Sequence, residues 1–220
     1  MNERSRSNQR MLGLGLGLTL ALLLLALLLS VLRLRTNPAR ATALPVYGQV
    51  ADFLLTNHHG QAVSLSNLLG RVWIADIVFT RCAGPCPRMT QKMAGIQAAL
   101  DPAERTRLVT LTTDPDFDTP EVLRAYAQRF NADPARWMFL TGTKAQIARL
   151  AVDSLKLTTV EKRPEERESP EDLFIHSTIF VVVDRQGRLR GIFETEGEGI
   201  DSQTVTRQVL ATARRLERER

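Results

Sequence analysis

The sequence predicts an α/β domain set behind a membrane-spanning helix. Three observations carry this. From about residue 50 onward, strand-like apolar segments alternate with segments of helical period. One of the strand-like segments, Val72 to Phe79, is apolar almost throughout, as a central strand covered on both faces must be. Finally, Met11 to Leu32 runs for 22 residues without a charge and is mostly leucine.

A helix of 22 residues is about 33 Å long, and the apolar core of a bilayer is about 30 Å thick. A cleaved signal sequence has a shorter apolar stretch with a small-residue site directly after it. Here Ala39-Arg40-Ala41 and Ala41-Thr42-Ala43 lie well past the run, and no cysteine stands near it to carry a lipid. The reading is a short tail (1–10), an uncleaved anchor (11–34), a linker (35–47) and one domain (48–220). Arg4, Arg6 and Arg10 precede the span while Arg33, Arg35 and Arg40 follow it, so flanking charge sets no orientation. A short tail before a large domain favours a single-pass protein with its domain outside, which is the periplasmic side where the membrane is the inner one. The formal charge of +5 resides at the membrane flanks. Residues 1–40 hold six Arg and one Glu, leaving 23 basic and 23 acidic residues in the remainder. No basic patch with interleaved aromatics marks a nucleic-acid binder.

Asp52 to Leu65 reads as a hairpin turning at Asn57-His58-His59-Gly60. Val72 to Phe79 is the central strand, interrupted only by Asp76. Pro87 suits the first turn of a helix, and Met89, Met93, Ile96 and Leu100 then fall on one helical face. Leu108 to Thr112 is a strand. Asp118-Thr119-Pro120-Glu121 is a helix start, with Asp118 as the capping residue and an acid in the first turn. That helix runs to about Phe130. Trp137 to Leu140 is a short strand, and Thr143 to about Val152 is a helix with Ile147 and Leu150 inward. Glu161 to Asp172 has nine charged residues and two prolines in twelve, the composition of an exposed loop. Ser177 to Val183 and Leu189 to Phe193 are strands joined by a turn, and Asp201 to Glu217 is a closing amphipathic helix.

Cys82 and Cys86 are the only cysteines. They stand four apart, between the central strand and its helix, which in this frame is the thioredoxin arrangement. Two thiols this close can form a disulfide or share a soft metal ion such as Cu(I) or Zn(II). A structural bridge here would close almost no loop. The helix start offers free N–H groups and a positive dipole end, which favour thiolate. A metal needs a further ligand. His58 and His59 read as solvated turn residues. His176, at the junction of the charged loop and the next strand, faces the cysteine loop in a thioredoxin-like sheet. Met89 and Met93 read as core. Asp76 reads equally as a buried carboxylate tuning the thiols or as a polar packing contact, and Asp114 and Asp118 as loop-shaping residues.

Phe79-Thr80-Arg81-Cys82-Ala83-Gly84-Pro85-Cys86-Pro87, Thr113-Asp114-Pro115-Asp116-Phe117-Asp118-Thr119-Pro120-Glu121 and His176-Ser177 together resemble the three marks of the Sco/SenC family, over roughly residues 48–195. The resemblance implies a thioredoxin-like fold, a mixed sheet flanked by helices. It implies copper, as Cu(I) or Cu(II), held by Cys82, Cys86 and His176. It also implies metal delivery to the binuclear copper centre of cytochrome c oxidase, or to another copper client, with a thioredoxin-like reductant keeping the thiols open. The alternative is a thiol-disulfide oxidoreductase acting through Cys82 and Cys86, so enzymatic activity stays an open question. Ala83 and Gly84 stand where the family usually has Pro and an acid, and Ile175 where an acid commonly precedes the histidine.

Overall fold

The computed structural model describes residues 20, 22–30, 43–167 and 173–219, except the side chains of Thr159 and His176. It divides into two units, Met1–Ala43 and Leu44–Arg220. In the first, residues 20 and 22–30 are helical. Among the described residues no helix is long and apolar enough to cross a membrane. Most of the expected span, 11–34, lies outside them.

The second unit is built on an eight-stranded sheet: β1 (Gly48–Gln49), β2 (Leu54–Asn57), β3 (Ala62–Ser64), β4 (Trp73–Val78), β5 (Arg107–Thr112), β6 (Trp137–Thr141), β9 (Ile179–Val183) and β10 (Arg188–Glu194). Their spatial order is β1-β10-β9-β4-β5-β6-β2-β3. β4, β5 and β6 are parallel, with Trp73 opposite Arg107 and Leu108 opposite Trp137. β9 and β10 on one side and β2 and β3 on the other run antiparallel. The mixed sheet that the family resemblance implies is therefore present, with antiparallel strands on both sides of the parallel core.

β4 is buried along its whole length because both its faces are covered. Ile74 and Val78 face α1 (Pro85–Ala99), α2 (Pro120–Arg129) and α4 (Ser202–Arg218). Trp73, Ala75 and Ile77 face α3 (Lys144–Ala148) and the π-helical turn Arg149–Ser154 that continues it. This explains why β4 reads as a continuous apolar run rather than an alternating one. Met89, Met93 and Ile96 are fully buried under α1, as expected of a core stripe. Ile147 and Leu150 are buried on the other face.

Two elements differ from expectation. α1 starts at Pro85, two residues before Pro87. Both prolines fit the first turn, where a helical N–H has no intrahelical acceptor. The charged run is also not simply a loop between strands. Its flanks pair as a two-stranded antiparallel ribbon, β7 (Thr159–Glu161) with β8 (Phe174–His176), with Val160 opposite Ile175. Residues 168–172 lie outside the described residues.

Candidate functional site

Cys82 and Cys86 lie beyond the C-terminal end of β4. The backbone turns at Phe79, whose carbonyl accepts from Cys82 N–H at 3.3 Å, and Cys86 falls in the first turn of α1. Gly84 caps the helix and has no side chain to do so; its own N–H donates to Cys82 Sγ at 3.3 Å. The N–H of Phe79 donates to Cys86 Sγ at 3.4 Å. The thiols are not joined by a disulfide, and they hydrogen-bond to each other.

The pair is unequal. Cys86 is fully buried and Cys82 is 9% exposed. Burial pushes the Cys86 thiol far above its usual range, and the hydrogen bond with Cys82 adds to this. The helix start was expected to favour thiolate, but at Cys86 desolvation outweighs it. Cys86 is a proton-bearing thiol until something compensates its charge.

Asp118 anchors the loop from below. It is fully buried, and its carboxylate accepts from Thr80 N–H at 3.1 Å, from the Thr80 hydroxyl and from the Thr112 hydroxyl. Its expected capping role falls instead to Thr119, whose hydroxyl accepts from Val122 N–H at 3.4 Å. Pro120 takes the first helical position, so the cap is the residue directly before it. Burial raises the Asp118 pKa despite the three donors. Asp114 is also buried and holds Arg81 by ion pairing, while the Arg81 guanidinium lies over the Phe117 ring, 4.1 Å from its centroid. Thr80 and Arg81, the two residues before Cys82, are thus both clamped by the loop after β5, so both acids shape the site.

Asp76 sits on the α1 face of β4. One of its oxygens accepts from Thr110 Oγ1 at 2.7 Å, and Trp137 Nε1 in turn donates to that hydroxyl at 2.9 Å. Its charge adds a lesser upward push to Cys86. Asp76 is therefore a buried carboxylate that hydrogen-bonds within the sheet, and its minor electrostatic effect on the pair falls on Cys86. Beneath Cys86, Thr90 donates to the Cys86 carbonyl at 2.9 Å and meets the Tyr126 hydroxyl at 2.9 Å.

The histidines separate. His59 is exposed, as expected of a turn. His58 is not solvated: it is buried, its N–H donates to the Phe139 carbonyl at 2.9 Å, and its Nδ1 accepts from Phe139 N–H at 3.1 Å. Burial, followed by the adjoining His59, lowers its pKa to about 4. It is a neutral packing residue distant in sequence from the cysteines. His176 ends β8, its backbone opposite Thr159; its side chain lies outside the described residues. Among the described residues no group of three or more His, Cys, Asp or Glu is assembled for a metal. The β7–β8 ribbon does reach the site, since Phe174 packs edge-to-face on Phe79 with ring centroids 5.1 Å apart. The residues flanking the charged run, Thr158-Thr159-Val160 and Leu173-Phe174-Ile175, carry the β-propensity that foretells the ribbon.

The parallel strand, the cysteine pair and the helix beginning between its two thiols define the class: a thioredoxin-like dithiol protein. The SCO1/SenC family model matches residues 44–212, and the chain belongs to that family. It is 35% identical over 148 residues to the SCO1 protein homolog of Bacillus subtilis (strain 168), covering 66% of this chain and 73% of the relative. It is 29% identical over 178 residues to a putative copper-binding protein of Stutzerimonas stutzeri, covering 80% and 84%. Among solved structures it resembles BsSco, described as a member of the Sco family of cytochrome c oxidase assembly proteins with a disulfide switch. That match has a TM-score of 0.62 and 29% identity, and it covers 77% of this chain and 95% of that one.

Proposed function

We propose that this protein takes up a copper ion on Cys82, Cys86 and His176 and passes it to a partner during assembly of the binuclear copper centre of cytochrome c oxidase. The observation that carries this is the reduced, mutually hydrogen-bonded thiol pair in a chain of the SCO1/SenC family. The copper-binding relative and the oxidase-assembly relative support the cargo and the destination. Two thiols are soft donors suited to Cu(I). A soft cation also supplies the compensating charge that lets Cys86 release its proton.

Backbone position supports the third ligand: His176 ends β8, the strand whose Phe174 packs on Phe79, three residues before Cys82. Residues 11–34 anchor the domain to the inner membrane on its periplasmic side, where a thioredoxin-like reductant keeps the pair open.

A second reading has its own support. Cys82 is the more accessible thiol and has Cys86 beside it to resolve a mixed disulfide, the layout of an oxidoreductase. Loading the reduced chain with Cu(I), beside His176→Ala, separates the two readings. One copper per protein and an affinity loss of about a hundredfold in the variant support metal delivery. Equal reduction of a test disulfide by both proteins, with no copper retained, would overturn it.

A further inference from the structure

The two ends of the sheet carry their charge differently. Around the cysteines cations are matched by acids: Arg81 by Asp114, Arg88 and Lys92 by Glu196, and Lys144 by Asp116. At the opposite end, where β4, β5 and β6 begin, Arg71, Arg105, Arg107 and Arg218 make no ion pair among the described residues.

Backbone pairing gathers these arginines. Arg107 N–H donates to the Val72 carbonyl at 2.9 Å, which sets Arg71 beside it. Thr106 Oγ1 donates to Glu217 at 3.1 Å, which brings in the end of α4 with Arg218. Arg136 directly precedes β6, and its Nη1 is buried with no hydrogen-bond partner among the described residues. Acids are present but engaged: Asp133 answers Arg136, Glu104 answers Arg214, and Asp101 caps its own loop at Ala103. Burial and the neighbouring Arg71, Arg136 and Arg105 lower the Arg107 pKa.

The chain also enters the domain at this end. Buried Arg190 donates to the carbonyls of Pro45 (3.0 Å) and Leu44 (2.8 Å). It pairs with Asp184 in the β9–β10 turn and with Glu219 past α4. Only residues 35–43 separate Leu44 from the expected anchor. Nine extended residues reach about 30 Å. The bilayer surface is therefore within reach of this face.

We propose that the face bearing Arg71, Arg105, Arg107 and Arg218 docks on anionic lipid headgroups, holding the cysteine end of the domain away from the membrane and open to its partner. This rests on the reading of residues 11–34 as an anchor. Tethering makes the docking intramolecular, so weak contacts suffice. Each arginine at an anionic surface multiplies the docked population about fivefold.

The test uses the full chain in nanodiscs of phosphatidylcholine, with and without phosphatidylglycerol, and reads amide exchange at residues 100–108. Docking slows exchange several-fold in the anionic discs alone. The slowing disappears at about 1 M salt, where screening acts within about 3 Å. It also disappears when Arg71→Gln, Arg105→Gln, Arg107→Gln and Arg218→Gln are combined, and an unchanged urea-unfolding midpoint of that variant shows that it is folded. Equal exchange in both discs overturns the proposal. So does equal slowing in neutral discs on adding inorganic phosphate, which marks a soluble-anion site. A chain that enters no disc removes the anchor reading and the docking together, whereas entry without a lipid effect removes the docking alone.

Discussion

The carboxylate of Asp118 holds both the N–H and the hydroxyl of Thr80, two residues before Cys82, from a position 38 residues away in sequence. The cysteine loop is therefore positioned by the loop after β5. Replacing Asp118 with Ala leaves a partly buried N–H and two hydroxyls without their acceptor, at a cost of about 2–4 kcal/mol. Urea unfolding measures that cost. Cu(I) competition measures the accompanying loss of affinity, and unchanged affinity with reduced stability would show that Thr80 does not set the thiols.

Asp118 also makes stability pH-dependent. Its folded pKa is raised above the ordinary 3.8, so over that interval the native state binds more protons than the unfolded one. Its contribution is present at low pH and declines as pH rises from 3.8 through the folded value. Asp118→Asn removes that slope, read from unfolding midpoints across the acid range.

His58 works in the opposite sense. Its folded pKa is lowered to about 4 from 6.5, so the unfolded state takes up the proton first. Stability is full above 6.5 and falls as pH drops toward 4, by on the order of 2 kcal/mol. His58→Asn keeps an acceptor for Phe139 N–H and flattens the loss between pH 6.5 and 4. A wild-type midpoint that does not move over this range would contradict the buried neutral histidine.

The cysteines should differ in reactivity. Cys86 is fully buried with a raised pKa, whereas Cys82 retains some exposure. Alkylation of the reduced protein by iodoacetamide at pH 8, followed by peptide mass spectrometry, should modify Cys82 at least about tenfold faster. Equal rates would mean that the helix start activates both thiols.

The Phe79–Phe174 contact ties the ribbon to the cysteine loop. Phe174→Ala removes an edge-to-face pair worth about 1 kcal/mol beyond burial. With His176 as a ligand, Cu(I) affinity falls by about tenfold while the far-UV spectrum is kept. An unaltered affinity would separate the ribbon from the site.

Local sequence encodes the alternation of strands and helices, the doubly covered β4, the inward stripe of α1 and the place of Cys82 and Cys86 between β4 and α1. Each is encoded within a window of a few residues, by period, composition or spacing. Asp118 reads as the cap from sequence, although Pro120 directly after Thr119 is the local signal that places it at Thr119. Long-range packing sets what surrounds each polar group. Asp118 became a loop anchor because β5 and the cysteine loop close over it. His58 became neutral because Phe139 covers it, and Cys86 kept its proton because the sheet and α1 exclude water from it. Desolvation depends on which distant elements pack together, and local pattern carries no record of that.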